Sequence, residues 1–488
     1  MMTVLLIAFP FLAGLMVFRA GAGSARNMAL AGSLVQLLIT AAMLFGFEKS
    51  AGLQYVIDIP WIPSLGIHFS AGIDGVNVLL VLLTSLLLPL IIWSSGASEH
   101  ESPGRYFGLM LMMQAALTGV FTAQDGFLFY IFWELALIPI WFICLMWGGK
   151  DRERITFKFF AYTLAGSLLM LVALVYIYLR TPGAHSFDWE ALVLAGRGLP
   201  ASEQALLFWG LFLAFAIKIP IFPFHTWQPD TYTNAPTQGT MLLSGIMLKM
   251  GLFGLMKWLL PILPLGVANH SSLAIALCIS GILYASFIAI VQSDFKRLIA
   301  FSSIAHVGLI AAGIMTETIQ GIQGGLYQML SHGINVVGLF YIADLLEKRI
   351  GTRELAAMGG VRNVAPGFAT LFMIIMLGSV ALPLTNGFVG EFMLLGSVYQ
   401  YGVWAAVLAG MTIILGAVYM LSAYQKSMLG EVNGSTANFA EVSGSEKSLL
   451  LVICALVILG GVLPSLLLDL SAPAAEQLLQ IIKNGLPG

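Results

Sequence analysis

The stretch that decides the fold is "FLAFAIKIPIFPFHTW", which runs from Phe212 to Trp227. It reads as an apolar membrane helix until Lys218 places an amine inside the run, and Pro220 and Pro223 follow at once. Proline has no N–H and leaves a backbone carbonyl without its helical partner. In hydrocarbon, such a carbonyl is tolerated only where it is buried in protein or faces water. The stretch therefore predicts a membrane helix that is broken beside a buried lysine.

The composition of the whole chain is that of a polytopic membrane protein. Of its 488 residues, 59 % are hydrophobic and 9 % are charged, against about 25 % charged in soluble domains. Apolar runs predict about 14 transmembrane helices of roughly 20 residues each. These runs begin near residues 2, 28, 72, 105, 126, 156, 205, 236, 271, 297, 322, 366, 403 and 448. We predict an all-α polytopic fold that forms one membrane domain over residues 1–488.

The two ends of the chain carry weaker signals. The opening apolar run has no basic start and no small-residue cleavage site, so it is predicted to be a retained first helix and not a signal peptide. Residues 471–488 predict a short interfacial helix.

A second broken helix is predicted in "LGSVALPLTNGFVGEF", where Pro383, Asn386 and Gly387 interrupt an apolar run. Paired broken helices are typical of inverted repeats in transporters. We therefore predict discontinuous helices 7 and 12. The first five-helix repeat, helices 4–8, is predicted over residues 105–260, and the second, helices 9–13, over residues 271–428.

Lysine and arginine are distributed unevenly over the predicted loops. Fourteen lie in odd-numbered loops and five in even-numbered loops or at the C-terminus. Cytoplasmic loops carry the excess of positive charge. The odd loops are therefore predicted to be cytoplasmic, and both termini to face the outer, periplasmic side.

Several kinds of chemistry lack the residues that they need. Cys144, Cys278 and Cys454 lie far apart in separate apolar runs, which excludes a four-thiolate iron–sulfur cluster built by this chain alone. Neither G-x-G-x-x-G nor a Walker A sequence is present, so nucleotide and flavin binding have no sequence support. The sequence has no basic cluster, so nucleic-acid binding is not predicted. No two histidines have the i, i+3 or i+4 spacing of a metal-binding pair.

Four ionisable residues interrupt apolar spans: Glu134, Lys218, Lys249 and Glu391. Each is a functional candidate, because a charge at mid-membrane is costly. Burial opposes the charged form and an opposite partner favours it. A lysine that alternates between paired and unpaired states can therefore take up and release a proton. The alternative is that these charges form fixed ion pairs that only determine packing.

Two histidines extend this set. His306 has Ser302 and Ser303 one turn before it, and His332 has amide side chains at helical spacing on either side. Such polar stripes can hold water and pass protons. A packed, hydrogen-bonded histidine without such a role is equally compatible with the sequence.

Lys158 and His225 are candidates of a weaker kind. Lys158 lies near the start of helix 6, where it could extend to the cytoplasmic face or modulate Glu134. His225 follows the break beside Trp227, where it could gate the break or serve only as a structural cap.

Six motifs of the chain resemble those of the antiporter-like proton-pumping membrane subunits of respiratory complex I. They are "WELALIPIWF", "KIPIFPFHTWQPDTYTNAPTQGT", "SGIMLKMG", "SDFKRLIAFSSIAHVG", "SHGINVVGLFY" and "GFVGEF". The resemblance implies a role for each candidate. Glu134 matches the family's helix 5 glutamate, Lys218 matches its helix 7 partner, and Lys158 matches the helix 6 lysine that modulates this pair. Lys249 matches the central lysine. His306 and His332 match the connecting histidines, and Glu391 matches the exit-side glutamate.

Within this family the chain is most similar to the M branch, called chain 4 in mitochondria. Glu391 carries that distinction, because the related L and N subunits and the antiporter D subunit usually have lysine there. The chain is also too short for the lateral helix of the L subunit. One departure is visible in "HTWQPDTYTNAPT", where Gln228 and Tyr232 replace the leucine and histidine of many members.

The resemblance implies proton translocation across the cell inner (plasma) membrane, driven by NADH:quinone oxidoreduction in partner subunits. NADH, FMN, iron–sulfur clusters and quinone are expected on those partners, and no cofactor, metal or redox chemistry on this chain. The expected neighbours are L- and N-like antiporter subunits and lipids, with no nucleic acid. The alternatives are a subunit of a multisubunit sodium/proton antiporter, a subunit of a membrane-bound hydrogenase, and a purely structural membrane spacer.

Overall fold

The computed structural model describes residues 1–50, 52–96 and 100–486, and these are almost entirely helical. The α-helices, in chain order, are α1 (Met2–Phe18), α2 (Ala25–Phe45), α3 (Val78–Trp93), α4 (Pro103–Thr122), α5 (Gly126–Trp147), α6 (Arg152–Tyr178), α7 (Trp189–Arg197), α8 (Ala201–Lys218), α9 (Gln228–Asn234), α10 (Thr237–Leu242), α11 (Lys249–Gly254), α12 (Pro264–Val291), α13 (Phe295–Ile314), α14 (Ile319–Ile350), α15 (Val361–Val364), α16 (Pro366–Ser379), α17 (Asn386–Tyr401), α18 (Val403–Met428), α19 (Gly444–Val462) and α20 (Ser465–Lys483). The predicted all-α class is confirmed.

The membrane-spanning segments agree in number with the sequence. Among the described residues, ten helical segments are long and apolar enough to cross a membrane, and α1, α3 and α16 are shorter apolar helices. With α4, which has 20 residues, they give fourteen candidate spans. The apolar windows of the span Thr237–Leu259 and of α14 are fully buried, whereas only 28 % of the windows in α2 and α19 is buried. The buried spans form the centre of the bundle, where the candidate site lies.

The first predicted break is present between α8 and α9. α8 ends at Lys218, and the chain is irregular until Gln228. The carbonyl of Ile217, which the break leaves free, accepts a hydrogen bond from the Trp227 indole N–H at 2.9 Å. The break is thus closed by a side chain from its own far end.

The second predicted break separates α16 from α17. Ala381 and Leu384 adopt left-handed backbone angles, with φ of 56° and 73°. Gly387 is required there, because a Cβ at this position would lie 2.2 Å from the carbonyl oxygen of Gly378. The Gly378 carbonyl accepts a hydrogen bond from the Asn335 amide at 2.9 Å. Here a neighbouring helix, α14, satisfies the opened backbone.

The span Thr237–Leu259 is not a regular α-helix. Two π-helical turns, Leu243–Met247 and Leu255–Leu259, flank α11. A π-turn widens the helix and leaves backbone carbonyls offset from their usual partners, and such turns are frequent at functional sites. The sequence reading did not predict these turns.

A β-hairpin was also missed. The strands β1 (Gln54–Ile62) and β2 (Ile67–Ile73) pair antiparallel in the polar segment before α3. The apolar run near residue 72 therefore starts in a strand, and the helix begins only at Val78. Asp74 explains the delay, because its Oδ1 accepts the backbone N–H groups of Val76 and Asn77 at 2.9 and 3.0 Å and forms a turn.

The C-terminal helix α20 is present and begins at Ser465, earlier than residue 471. Its buried face, which includes Ala475, Leu478 and Ile482, packs against α14 and α3. The short helix α7 was not predicted, and it lies in the polar interval between α6 and α8.

Candidate functional site

The first pair of candidate charges lies on α5 and α8. The Asp125 carboxylate caps α5 by accepting the backbone N–H groups of Phe127 and Leu128 at 2.8 and 2.9 Å. It also accepts the backbone N–H of His68 at 3.1 Å, which fastens the hairpin to the start of α5. This cap fixes the start of the helix that presents Glu134 about two turns later.

The Glu134 and Lys218 side chains do not touch. The Lys218 amine is buried, lies 5.5 Å from the centroid of the Trp133 ring, and has no hydrogen-bond partner within the described residues. Glu134 Oε1 is likewise buried and without a partner there. The described residues thus contain the two opposite charges as an unpaired couple, with the amine held over an aromatic face.

Lys158 contacts a carboxylate other than Glu134. Its amine lies 3.1 Å from Asp230 Oδ2 and donates to the carbonyl of Thr226 at 2.7 Å. Thr226 lies within the first break, and Asp230 lies directly after it on α9. Asp230 is also bound by Arg297, at 3.0 Å. The Lys158 amine is therefore bound to Asp230 and Thr226 in this structure, and its modulating role stays a prediction.

Lys249 lies at the centre of the bundle. Its amine is fully buried and donates to the carbonyl of Ser244, in the preceding π-turn, at 2.6 Å. It also lies 3.0 Å from Nδ1 of His332 on α14. The helices can approach so closely because a Cβ on Gly333 would lie 2.8 Å from the carbonyl oxygen of Gly245. Small residues thus let the lysine and the histidine meet.

His332 continues the connection on its other side. Its Nε2 lies 3.0 Å from the hydroxyl oxygen of Ser303 on α13. An ammonium at Lys249 requires His332 Nδ1 to be the acceptor, so Nε2–H donates to Ser303. One imidazole therefore links the central lysine to α13 through both ring nitrogens.

Glu391 is paired with a histidine. Its Oε1 lies 2.7 Å from His306 Nδ1 and accepts the Gln328 amide N–H at 3.2 Å. The Glu391 side chain is 1 % exposed. Oε2 and the His306 Nε2 are buried and have no partner among the described residues, so each is open to a further hydrogen bond.

The two histidines are separated by a small polar cavity. Their ring centroids lie 6.1 Å apart. The cavity has a volume of about 10 Å³ and is lined by Ser302, Ser303, His306, Gln328 and His332, among others. This is room for one water molecule with several polar partners. A single water molecule would be enough to bridge the interval between His332 and His306.

Tyr419 contacts Ser302, which lines this cavity, and the sequence did not predict this contact. Its hydroxyl, on α18, donates to the Ser302 hydroxyl at 3.0 Å, and the ring is 1 % exposed. A tyrosine within an apolar run has no helical partner in the sequence that would mark it. Only the packing of α18 against α13 reveals the contact.

His225 lies away from this line. It is buried between aromatic rings, 5.6 Å from Phe222 and 5.0 Å from Tyr284 by ring centroids. Its Nδ1 has no hydrogen-bond partner among the described residues. Gln228 instead joins the break to α13, since its amide donates to the carbonyl of Ala300 at 3.1 Å.

Comparison with known proteins places this geometry in a family. The profile of the family described as "NADH:quinone oxidoreductase/Mrp antiporter, TM" matches residues 123–416. That segment is more than half of the chain. The chain belongs to the NADH:quinone oxidoreductase/Mrp antiporter membrane family. All eight candidate residues, from Glu134 to Glu391, lie inside the matched segment of this family.

Relatives and a solved structure extend the match over nearly the whole chain. NADH-quinone oxidoreductase subunit M of Rickettsia conorii is 39 % identical over 454 residues, which are 93 % of this chain and 92 % of the relative. The F(420)H(2) dehydrogenase subunit M of Methanosarcina mazei is 36 % identical over 464 residues, 92 % of each chain. A chain of respiratory complex I from Thermus thermophilus with bound NADH superimposes with a TM-score of 0.90 at 30 % identity, covering 98 % of this chain and 99 % of that one.

These matches bear out the resemblance read from the six motifs. The family membership, the antiporter-like fold and the likeness to subunit M all agree with the sequence reading. The chain is a multi-pass membrane protein of a family whose members work in multisubunit membrane complexes.

Proposed function

We propose that this chain is the proton-translocating membrane subunit of an NADH:quinone oxidoreductase. It moves protons across the membrane while partner subunits pass electrons from NADH to quinone. The observation that carries the proposal is the buried line of Lys249, His332, Ser303, His306 and Glu391. Its members meet at hydrogen-bond distances, apart from the one-water cavity between the histidines.

The line can pass a proton in steps. Transfer from Lys249 Nζ to His332 Nδ1 allows His332 to release its Nε2 proton toward Ser303 and the cavity. A water molecule in the cavity can then hand a proton to His306 Nε2. His306 releases its Nδ1 proton to Glu391 Oε1 at 2.7 Å. In each step, one proton passes from a protonated donor atom to an acceptor atom that has a free lone pair.

Glu134 and Lys218 are proposed to control the loading of this line. An open pair disfavours the charge on the buried Lys218 amine, and a closed pair favours it. The amine therefore releases a proton when the pair opens, which is its geometry in this structure. Lys158 is proposed to modulate the pair by way of Asp230.

Electron transfer is proposed to take place on other chains, which hold NADH, FMN, iron–sulfur clusters and quinone. Cys144, Cys278 and Cys454 are buried on separate helices, α5, α12 and α19, which supports this division. L- and N-like antiporter subunits are the proposed neighbours in the inner membrane. Residues 105–260 and 271–428 are proposed to be the two inverted repeats, and both termini to face the outer side.

The electron donor is the part of this proposal most open to an alternative. One relative at 36 % identity is named as a subunit of an F(420)H(2) dehydrogenase. The name of that similar membrane chain therefore refers to an electron donor other than NADH. A hydrogenase or antiporter context would use the same buried line with different partners.

The test is to purify the complex that carries this chain, identify its subunits by mass spectrometry, and reconstitute it in vesicles. NADH and a quinone should drive proton movement that a protonophore abolishes and that does not depend on sodium. Proton movement driven by an imposed sodium gradient without NADH would instead favour the antiporter. A C-terminal epitope should react with antibody only from the outer side.

A further inference from the structure

Asp230 holds two cations from different parts of the bundle. Its Oδ2 lies 3.1 Å from the Lys158 amine on α6, and its Oδ1 lies 3.0 Å from the guanidinium of Arg297 on α13. The carboxylate itself lies on α9, directly after the first break. All three side chains are about one-third exposed, so the pairs are not locked in by burial. Exposed pairs of this kind are weak and can exchange partners.

Lys158 contacts the break as well as the carboxylate. Its amine donates to the carbonyl of Thr226 at 2.7 Å. One turn further along α6, the hydroxyl of Tyr162 lies 2.9 Å from that of Thr226. The position of Lys158 is therefore tied to the conformation of the segment between α8 and α9.

Arg297, the second cation bound by Asp230, lies on a helix that carries part of the proton line. It lies in the first turn of α13, which begins at Phe295. The same helix carries Ser303 and His306, about two turns further along. The Asp230–Arg297 ion pair therefore links Asp230 to the helix that lines the cavity between the two histidines.

Lys158 and Glu134 lie on neighbouring helices, because α6 packs against α5. α5 and α6 are consecutive and joined by a short turn, so they run antiparallel, and the side chains of Tyr130 and Ser167 lie close together. By that alignment Glu134 stands level with a residue near 163. Lys158 lies about five residues from there, or roughly 7 Å along the axis.

We propose that Asp230 is a positioning residue that shares the Lys158 amine with Glu134. In this structure the amine is on Asp230, and Glu134 Oε1 is unpaired. When the amine moves to Glu134, Asp230 keeps Arg297 as a partner, so no bare carboxylate remains. When Glu134 pairs with Lys158, it no longer attracts the Lys218 amine as strongly. Asp230 is then bound by Arg297 alone, so α13 is in contact with a changed ion pair. This inference rests on the proposed function and names a residue outside the proton line.

The test uses the whole complex in vesicles and measures NADH-driven proton movement, together with assembly and the NADH-to-quinone rate. Asp230→Asn releases Lys158, which then stays on Glu134. Proton movement should fall roughly tenfold, the size of effect that coupled groups in one network produce, with assembly retained. Asp230→Glu keeps the carboxylate and should retain most of the movement.

A double variant separates positioning from support of the fold. If Asp230→Asn acts through the released amine, then Lys158→Met in the same chain should restore proton movement by several-fold. A merely structural role would make the double variant worse than either single one. Glu153→Gln, an exposed carboxylate on the first turn of α6, is the matched control and should behave as wild type.

Arg297→Gln tests the same idea without altering Asp230. Without the guanidinium, the departure of Lys158 would leave the Asp230 carboxylate without a cation. Proton movement should therefore fall in Arg297→Gln, and Arg297→Lys, which keeps a cation, should restore it. Normal movement in both Asp230→Asn and Arg297→Gln, or no rescue by Lys158→Met, would overturn the role of Asp230. Unimpaired movement in Lys249→Ala would overturn the proposed function, and this inference with it.

Discussion

The two broken helices of this chain carry their charges in opposite conditions. Beside the first break, the Lys218 amine and Glu134 Oε1 have no partners among the described residues. Beside the second, Glu391 Oε1 is held by both His306 and Gln328. The first region is arranged as an open pair, and the second as a connected one.

The polar contacts next to each break differ in the same way. The cations and the carboxylate around α9, which include Asp230 and Lys158, are about one-third exposed and can exchange partners. The second break is closed by neutral hydrogen bonds from buried groups, namely Asn335 to the Gly378 carbonyl and Ser331 to the Asn386 carbonyl. Buried neutral hydrogen bonds are costly to leave unmade. This contrast is compatible with the proposed function, in which the first region switches and the second region conducts protons.

The variant expected to have the largest effect is Lys249→Ala, because Lys249 stands between the two regions. Its amine is the only group that joins the π-turn carbonyl of Ser244 to His332 in the described structure. Removing a proton-transfer group typically lowers a rate by about 10²-fold or more. We expect NADH-driven proton movement in vesicles to fall at least about tenfold, with the complex still assembled.

Lys249→Arg is the matched control for this prediction. It keeps the positive charge, but a guanidinium barely deprotonates. We therefore expect it to be nearly as defective as Lys249→Ala. Full activity of Lys249→Arg would show that proton exchange at this site is not required, and that the lysine serves only as a fixed charge.

Glu134→Gln should have the next largest effect, because it removes the charge that lets the first region switch. Lys218 then has no carboxylate to pair with, and its buried amine stays in one state. We expect coupled turnover and proton movement to fall several-fold while assembly is unchanged. Normal proton movement in assembled Glu134→Gln complexes would contradict the idea that the open pair is one state of a switch.

Substitutions of Glu391 test whether the second region conducts. Glu391→Asp keeps a titratable group within reach of His306 and should retain activity. Glu391→Gln keeps the shape and a hydrogen bond but cannot carry the proton, so coupled activity should drop without loss of assembly. If Glu391→Gln moves protons as well as wild type, Glu391 is not an obligatory carrier. If it fails only through loss of assembly, its role is structural.

The sequence predicted what depends on local chemistry. Proline and glycine within apolar runs located both breaks, and isolated charges located Glu134, Lys218, Lys249 and Glu391. The roles of these residues remain predictions. The sequence did not predict pairings that depend on how helices rotate against one another.

Two contacts illustrate that limit. Asp230 sits in "QPDTY" and reads as an ordinary polar turn, yet it binds Lys158, which lies 72 positions away in the chain. Tyr419 reads as part of an apolar run, yet its hydroxyl meets Ser302. Neither contact leaves a periodic signal, because the partners lie on helices that meet only in the folded bundle.

The smallest expected effect concerns the far end of the second region. Glu317 lies in the loop between α13 and α14, the helices that carry His306 and His332. Burial raises the pKa of the Glu317 carboxyl from 4.5 to about 7, and the positive charge of Lys483 on α20 only partly opposes this. In the folded chain the group therefore holds a proton between these two pH values, whereas the unfolded chain has released it.

The sign of the pH dependence follows from that difference. Where the folded state binds more protons, stability falls as pH rises. The contribution of Glu317 is fully present below pH 4.5 and is lost as the pH approaches 7. Glu317→Gln, which mimics the protonated group, should match wild type in thermal midpoint at pH 5 and exceed it slightly at pH 8. Glu354→Gln, at an exposed carboxylate, should show no such trend. A constant difference between Glu317→Gln and wild type across this range would show that Glu317 does not titrate there, and that the second region has no proton-binding group in this loop.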